Sequence, residues 1–145
     1  MIKKSALPFA ILLILFTGCG GGQTGSNMPQ NTASETVADD GKNVYLKYCL
    51  ACHQTDGSGV PGMYPPLKNS DWLSKEKEVL IRQVLEGKKG IIVVNGIQFN
   101  QVMPKQDFLT NDQIARVLTY VRKEMGNQTD SVTVSEVSNI RESLH

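Results

Sequence analysis

Apolar positions recur at helical spacing in four stretches of this chain and flank a turn in a fifth. In the first, Val44, Tyr45, Tyr48, Cys49 and Cys52 share one face, which predicts a helix over Gly41 to His53. In the second, Ser74 can N-cap a helix through about Glu86. Leu80, Ile81, Val84 and Leu85 form its apolar face and Gly87 is its stop. The third is the best marked. Thr110 and Gln113 fit a capping box, then Ile114, Val117, Leu118, Val121 and Met125 follow before Gly126. A second capping box, Thr133 to Glu136, opens a short tail helix carrying Val137, Ile140 and Leu144. The exception is Ile91 to Phe99, where Asn95-Gly96 between β-formers predicts a hairpin. Residues 54–69 are dense in Gly and Pro and must be loop.

The chain ahead of the first helix cannot build a core. Lys3 and Lys4 precede a nearly unbroken apolar run, Pro8 to Phe16. That run is shorter than the ~20 residues a bilayer span requires, and fits the apolar region of a signal peptide over residues 1–18. Thr17-Gly18-Cys19 resembles the lipobox of bacterial lipoproteins, with Phe16 departing from the aliphatic residue that pattern prefers. The resemblance implies cleavage before Cys19 and lipidation of its thiol. An ordinary cleaved signal peptide with an incidental cysteine is the plainer alternative. Residues 19–38 read as a flexible polar tether, and about twenty such residues reach ~25 Å from end to end. The expected protein is therefore exported and lipid-anchored on the periplasmic side. In lipoprotein sorting, Gly20 after the cysteine leans toward the outer membrane.

The chemistry centres on Cys49-Leu50-Ala51-Cys52-His53. Two cysteines three apart with a histidine directly after read as a c-type haem attachment site. On a helix, positions i, i+3 and i+4 lie on one face. Both thiols can then reach the vinyl groups of one porphyrin edge, while His53 sets an imidazole nitrogen under the iron. A zinc site needs about four nitrogen or sulfur ligands, and only Cys19 and His145 remain to complete it. A redox dithiol wants a βαβ setting that is not visible, and a plain disulfide leaves His53 unexplained. For the sixth iron ligand the candidate is Met103, fifty positions after His53 and restrained by Pro104. Met28 falls in the tether, Met63 just after His53, and Met125 at a core-like spacing. A carbonyl of Pro65 or Pro66 is placed to hold the other nitrogen of His53; the plainer alternative is that these prolines only stiffen a loop.

Composition narrows the function further. The 145 residues suit one domain with appendages, and 15 Lys and Arg against 14 Asp and Glu give no field for nucleic acid or another polyanion. Three cysteines are an odd count, which haem attachment and lipidation together account for.

GKNVYLKYCLACH, the YPPL loop, the VMP element and LTNDQIARVLTYVRKEMG together resemble the class I c-type cytochromes over about residues 39–126. PGMYPPLKNSDWL and VNGIQFNQVMP are more narrowly similar to the cytochrome c modules of quinoprotein dehydrogenases and some copper nitrite reductases. The resemblance implies an all-α fold around one covalent haem c, here with a small β-hairpin insertion near 91–99, and a tail over 127–145. It implies Cys49 and Cys52 as thioether anchors and His53 and Met103 as iron ligands. It also implies contact of Gly41 and Tyr45 with the last domain helix near Tyr120. The expected function is one-electron transfer between membrane or periplasmic redox partner proteins, with no catalytic residue of its own. Lys68, Lys88, Lys89 and Lys105 are candidates to ring an exposed haem edge, against the plainer alternative of ordinary solvated lysines. One alternative is a tightly bound electron-transfer subunit of a dehydrogenase or nitrite reductase. A further one is a haem sensor or peroxidase-like protein with an open iron position.

Overall fold

The computed structural model describes residues 33–126, 128 and 130–145. The signal segment, Cys19 and the tether up to residue 32 lie outside the described residues. Five helices and one hairpin follow in chain order: α1 (Ala33–Tyr48), α2 (Leu50–His53), α3 (Lys77–Glu86), β1 (Ile92–Val94), β2 (Ile97–Phe99), α4 (Asn111–Glu124) and α5 (Val134–Glu142). The mainly helical class with one small antiparallel sheet is the expected one.

The α4 stripe forms the floor of the core. Ile114, Val117, Leu118, Val121 and Met125 are all buried, and both halves of the Thr110–Gln113 capping box form. α1 crosses α4 at Gly41, where a Cβ would stand 2.4 Å from the Arg116 carbonyl oxygen and 2.9 Å from Tyr120 Cβ. Only a glycine permits that approach. One turn on, Tyr45 is fully buried, with its ring 5.7 Å from that of Tyr120. Its hydroxyl donates to the Gln54 carbonyl at 2.6 Å, which ties the end of α2 back to α1.

Three boundaries differ from the sequence expectation. α1 begins at Ala33, so the last part of the expected tether is helical. The expected single helix to His53 breaks at Cys49, where the chain makes a turn (φ −115°, ψ −30°) before α2. Ser74 does not cap α3. It closes a 3₁₀ turn, Asp71–Ser74, whose own cap is Ser70, and α3 starts at Lys77 behind Glu76. That turn buries Leu73 against the core, and extended Lys75 then separates it from α3.

The expected hairpin forms, with Ile92 opposite Phe99 and Val94 opposite Ile97. Asn95 (φ 49°) and Gly96 (φ 78°) take the positive φ values that a two-residue turn of this hand requires. Asn95 and Asp71 exchange backbone and side-chain hydrogen bonds at 2.9 and 3.1 Å, and the Trp72 indole N–H donates to the Val93 carbonyl at 2.7 Å. The hairpin is thus bolted to the 3₁₀ turn.

The tail docks on the domain. Val137 is fully buried, and Arg141 donates to Asn111 Oδ1 and to the carbonyls of Asp107 and Leu109. Buried Arg122 reaches the Leu73 and Lys75 carbonyls and Asp130, while Lys77 pairs with Asp130 and Glu136. The Arg122 hydrogen bond, aided by Lys77, holds the Asp130 carboxyl below its ordinary value. A carboxylate depressed in this way stabilises the fold above its unfolded pKa of ~3.9, and the contribution fades as pH falls through the lower folded value. Amide exchange in α5 should therefore speed up in acid ahead of the α1–α4 pair. In Asp130→Asn that acid step should shrink, and an unchanged pH profile would refute the assignment.

Candidate functional site

One cleft opens between α2, the 54–70 loop, α3, the hairpin, the 101–106 loop and the underside of α4. Cys49, Cys52, His53 and Met103 all line it, with Leu80, Val84, Val94, Leu109, Val117 and Leu118 among its walls. The four side chains singled out from the sequence in the described region therefore come together, although the helix that carries three of them is interrupted.

The break in that helix is ordered by hydrogen bonds. The Cys49 N–H donates to the Tyr45 carbonyl at 2.9 Å, and the His53 N–H donates to the Cys49 carbonyl at 3.0 Å. One turn therefore presents Cys49, Cys52 and His53 to the same space. Both thiols are free and partly buried. Burial, with a smaller contribution from the Cys52 thiol, pushes the Cys49 thiol up to about 11. It remains neutral, as an apolar wall requires.

His53 is oriented by Pro65, not Pro66. Its Nδ1 lies 3.1 Å from the Pro65 carbonyl oxygen. A carbonyl can only accept, so Nδ1 carries the proton and Nε2 keeps a bare lone pair. Burial lowers the His53 pKa, against the Pro65 hydrogen bond, which raises it. Gly59 secures the carbonyl. It sits at φ 67°, its N–H donates to the His53 carbonyl at 3.0 Å, and a Cβ there would come 2.6 Å from the Pro65 oxygen. The Val60–Tyr64 pair closes the same small loop with two hydrogen bonds of 2.9 Å.

Met103 is held from another direction. Its backbone pairs with Lys88 through hydrogen bonds of 2.8 and 2.9 Å, and the Gln106 N–H donates to the Val84 carbonyl at 2.8 Å. Gly87 ends α3 at φ 72°, where a Cβ would lie 2.4 Å from the Met103 carbonyl oxygen. The Gln83 side-chain amide lies 3.6 Å from Met103 Sδ. Among the described residues Met103 is the one methionine lining the cleft. Met63 is exposed, and Met125 is buried in the core.

The donor set is one imidazole nitrogen, one thioether sulfur and two thiols in an apolar cleft. Among the described residues no three or more His, Cys, Asp or Glu side chains converge to hold a metal ion. A bare ion does not fit this cleft, whereas a flat apolar macrocycle carrying iron does. The hairpin adds Ile92 and Val94 to the wall. Of the four candidate lysines, Lys88 lines the cleft and Lys105 is paired with Asp107 at 2.6 Å. Sequence reasoning missed Gln83 and Trp72, both of which line the cleft. The available signal for Gln83 was a polar residue three positions after Leu80, beside an apolar stripe.

Comparison with known proteins gives a consistent result. The family described as Cytochrome c matches residues 38–124. Cytochrome c-552 of Thermus thermophilus is 38% identical over 92 residues, covering 61% of this chain and 70% of that protein. The cytochrome c subunit of the quinone alcohol dehydrogenase of Gluconacetobacter polyoxogenes is 32% identical over 114 residues, covering 77% of this chain and 24% of the subunit. The fructose dehydrogenase cytochrome subunit of Gluconobacter japonicus is 28% identical over 120 residues, covering 80% of this chain and 25% of the subunit. The chain thus spans about a quarter of the length of those dehydrogenase subunits.

Proposed function

Because the chain belongs to the cytochrome c family, we propose that it is a single-haem electron carrier in which Cys49 and Cys52 would anchor the haem while His53 and Met103 would ligate its iron. The family's haem c, when bound, supplies one-electron chemistry at iron. The chain's own residues do the rest. The thiols would add across the two haem vinyl groups to give the thioether bonds, each S–H proton ending on a vinyl carbon. Pro65 fixes the His53 ring with Nε2 free to bind, and Lys88 fixes the backbone that presents the Met103 sulfur. The apolar walls exclude water. With His53 and Met103 both ligating, no position would be left on the iron for a substrate, and no separate catalytic group is assigned. The observation that carries this reading is the Nδ1 hydrogen bond of His53, which leaves Nε2 bare in the cleft that Met103 lines.

Partner docking in such a carrier is small and transient. A permanent place in a dehydrogenase complex is the second reading, favoured by the similarity to cytochrome subunits. Co-purification of a partner at fixed ratio distinguishes the two. We place the protein on the periplasmic side, anchored by lipid at Cys19. The Lys3–Lys4 start, the apolar run and the Thr17-Gly18-Cys19 sequence support this, and the mass of the mature N-terminus tests it.

The central test compares absorption spectra of the matured protein and of Met103→Ala. The wild type should carry covalent haem, show a weak far-red sulfur-to-iron band and refuse carbon monoxide. Met103→Ala should lose the band, bind carbon monoxide and shift the redox equilibrium toward the oxidised form more than tenfold, ~60 mV for one electron. Survival of the band in the variant would overturn the ligand assignment. Carbon monoxide binding by the wild type would favour a sensor or peroxidase-like protein.

A further inference from the structure

We propose that Gln83 is a positioning residue for Met103, its side-chain amide donating a hydrogen bond to the thioether sulfur and thereby favouring the reduced state of the site. The inference deepens the functional reading above and rests on Met103 as an iron ligand.

The amide nitrogen lies 3.6 Å from Sδ, and both side chains line the cleft. A thioether is a weak acceptor, and an amide N–H is one of the few groups that would point at it from an apolar wall. Sulfur has two lone pairs, so one can serve the iron while the other takes the amide proton. The rest of Gln83 is tied into the same unit as its acceptor. Its carbonyl accepts from the Gly87 N–H at 3.0 Å, and the next two links join α3 to the methionine loop, Val84 to Gln106 and Lys88 to Met103. Donor and acceptor are therefore held by backbone on both sides of the contact. α3 is itself braced against α5, through Arg82 to Ser143 and Lys77 to Glu136.

The hydrogen bond would favour one redox state. With Met103 on the iron, the positive end of the N–H dipole would lie against the ligating sulfur, and oxidised iron would carry one more positive charge than reduced iron. A low-dielectric surround strengthens that penalty. The hydrogen bond therefore raises the potential.

The test uses the matured holoprotein, with Gln83→Leu keeping much of the side-chain volume without a donor. Gln83→Ala serves as a second variant that suits a helix. Redox titration should show the equilibrium moved toward the oxidised form about threefold, ~30 mV for one electron. The far-red sulfur-to-iron band should remain. In the reduced wild type, the Gln83 side-chain amide protons should exchange slowly with solvent. A residue that only packs would alter thermal stability and leave the potential in place. Wild-type potentials in both variants, or freely exchanging Gln83 amide protons, would overturn the proposal while Met103 stands. Absence of the sulfur-to-iron band from the wild type would remove the Met103 assignment, and this proposal with it.

Discussion

A chain carrying both Cys49→Ala and Cys52→Ala should hold no haem that survives denaturation, and its haem-free form should lack a cooperative fold. The walls of the cleft are also the inner face of the core: Leu80, Leu109, Val117, Leu118 and Val121 are buried residues that line it. Without the macrocycle the half-buried wall residues, Leu67, Val84, Ile92 and Met103 among them, stay wet or collapse on one another. At ~25 cal/mol per Å², each ~100 Å² left wet forfeits ~2.5 kcal/mol. The whole stability of a typical domain is only ~5–15 kcal/mol. Covalent attachment keeps the stabilising group at the site whatever its free concentration, which a reversibly bound group cannot do. Far-UV circular dichroism and a haem stain after denaturing electrophoresis give the two readouts. Native helix content with a sharp melting transition in the haem-free double variant would contradict this account.

Gly41→Ala is expected to destabilise the domain by ~2 kcal/mol, lowering the melting temperature by ~10 °C in a domain of this size. Helix propensity alone predicts the reverse, a gain of up to ~1 kcal/mol for replacing a helical glycine. The crossing of α1 on α4 decides the sign. The new Cβ would stand 2.4 Å from the Arg116 carbonyl oxygen and 2.9 Å from Tyr120 Cβ. Two of the three nearest atoms are backbone, so the helices themselves must part. Separating them also disturbs the Tyr45–Tyr120 contact and the Tyr45 hydroxyl that holds the Gln54 carbonyl. Gly41→Val should cost more, because it adds bulk without the propensity gain. Thermal melts of the matured proteins check both. An alanine variant at least as stable as the wild type would show that the crossing can yield.

The elements that matched expectation are those specified within a few residues. The two capping boxes, at Thr110–Gln113 and Thr133–Glu136, are closed by side chains three positions apart. The Asn95-Gly96 turn depends on the backbone freedom of two adjacent residues. The α4 stripe follows from helical periodicity, and each of its members is buried. The Cys49–His53 segment is equally local, and its two thiols and its imidazole fall within one turn of chain that lines the cleft.

The expectations that moved depend on distant partners. Ser74 has the right chemistry for an N-cap, yet burial of Leu73 places it in a 3₁₀ turn instead. The tail helix was apparent from its box, while its docking depends on Arg141, Arg122 and Lys77 meeting groups 8 to 59 positions away. Lys68, Lys88, Lys89 and Lys105 looked equivalent as charges, and only the folded chain separates Lys88 at the cleft from Lys105 in an ion pair.

The sequence by itself determined the helical class and the hairpin, and it marked Cys49, Cys52, His53 and Met103 as candidates for one site. It could do so because spacing, capping and turn chemistry act over short range along the chain. Tertiary structure alone selected Pro65 over Pro66 for His53, broke the first helix at Cys49, and set the Gln83 amide beside the Met103 sulfur. Those outcomes rest on ångström-scale approaches between segments 12 to 20 positions apart or packed from different helices. Residue order carries no record of such distances until the core has closed.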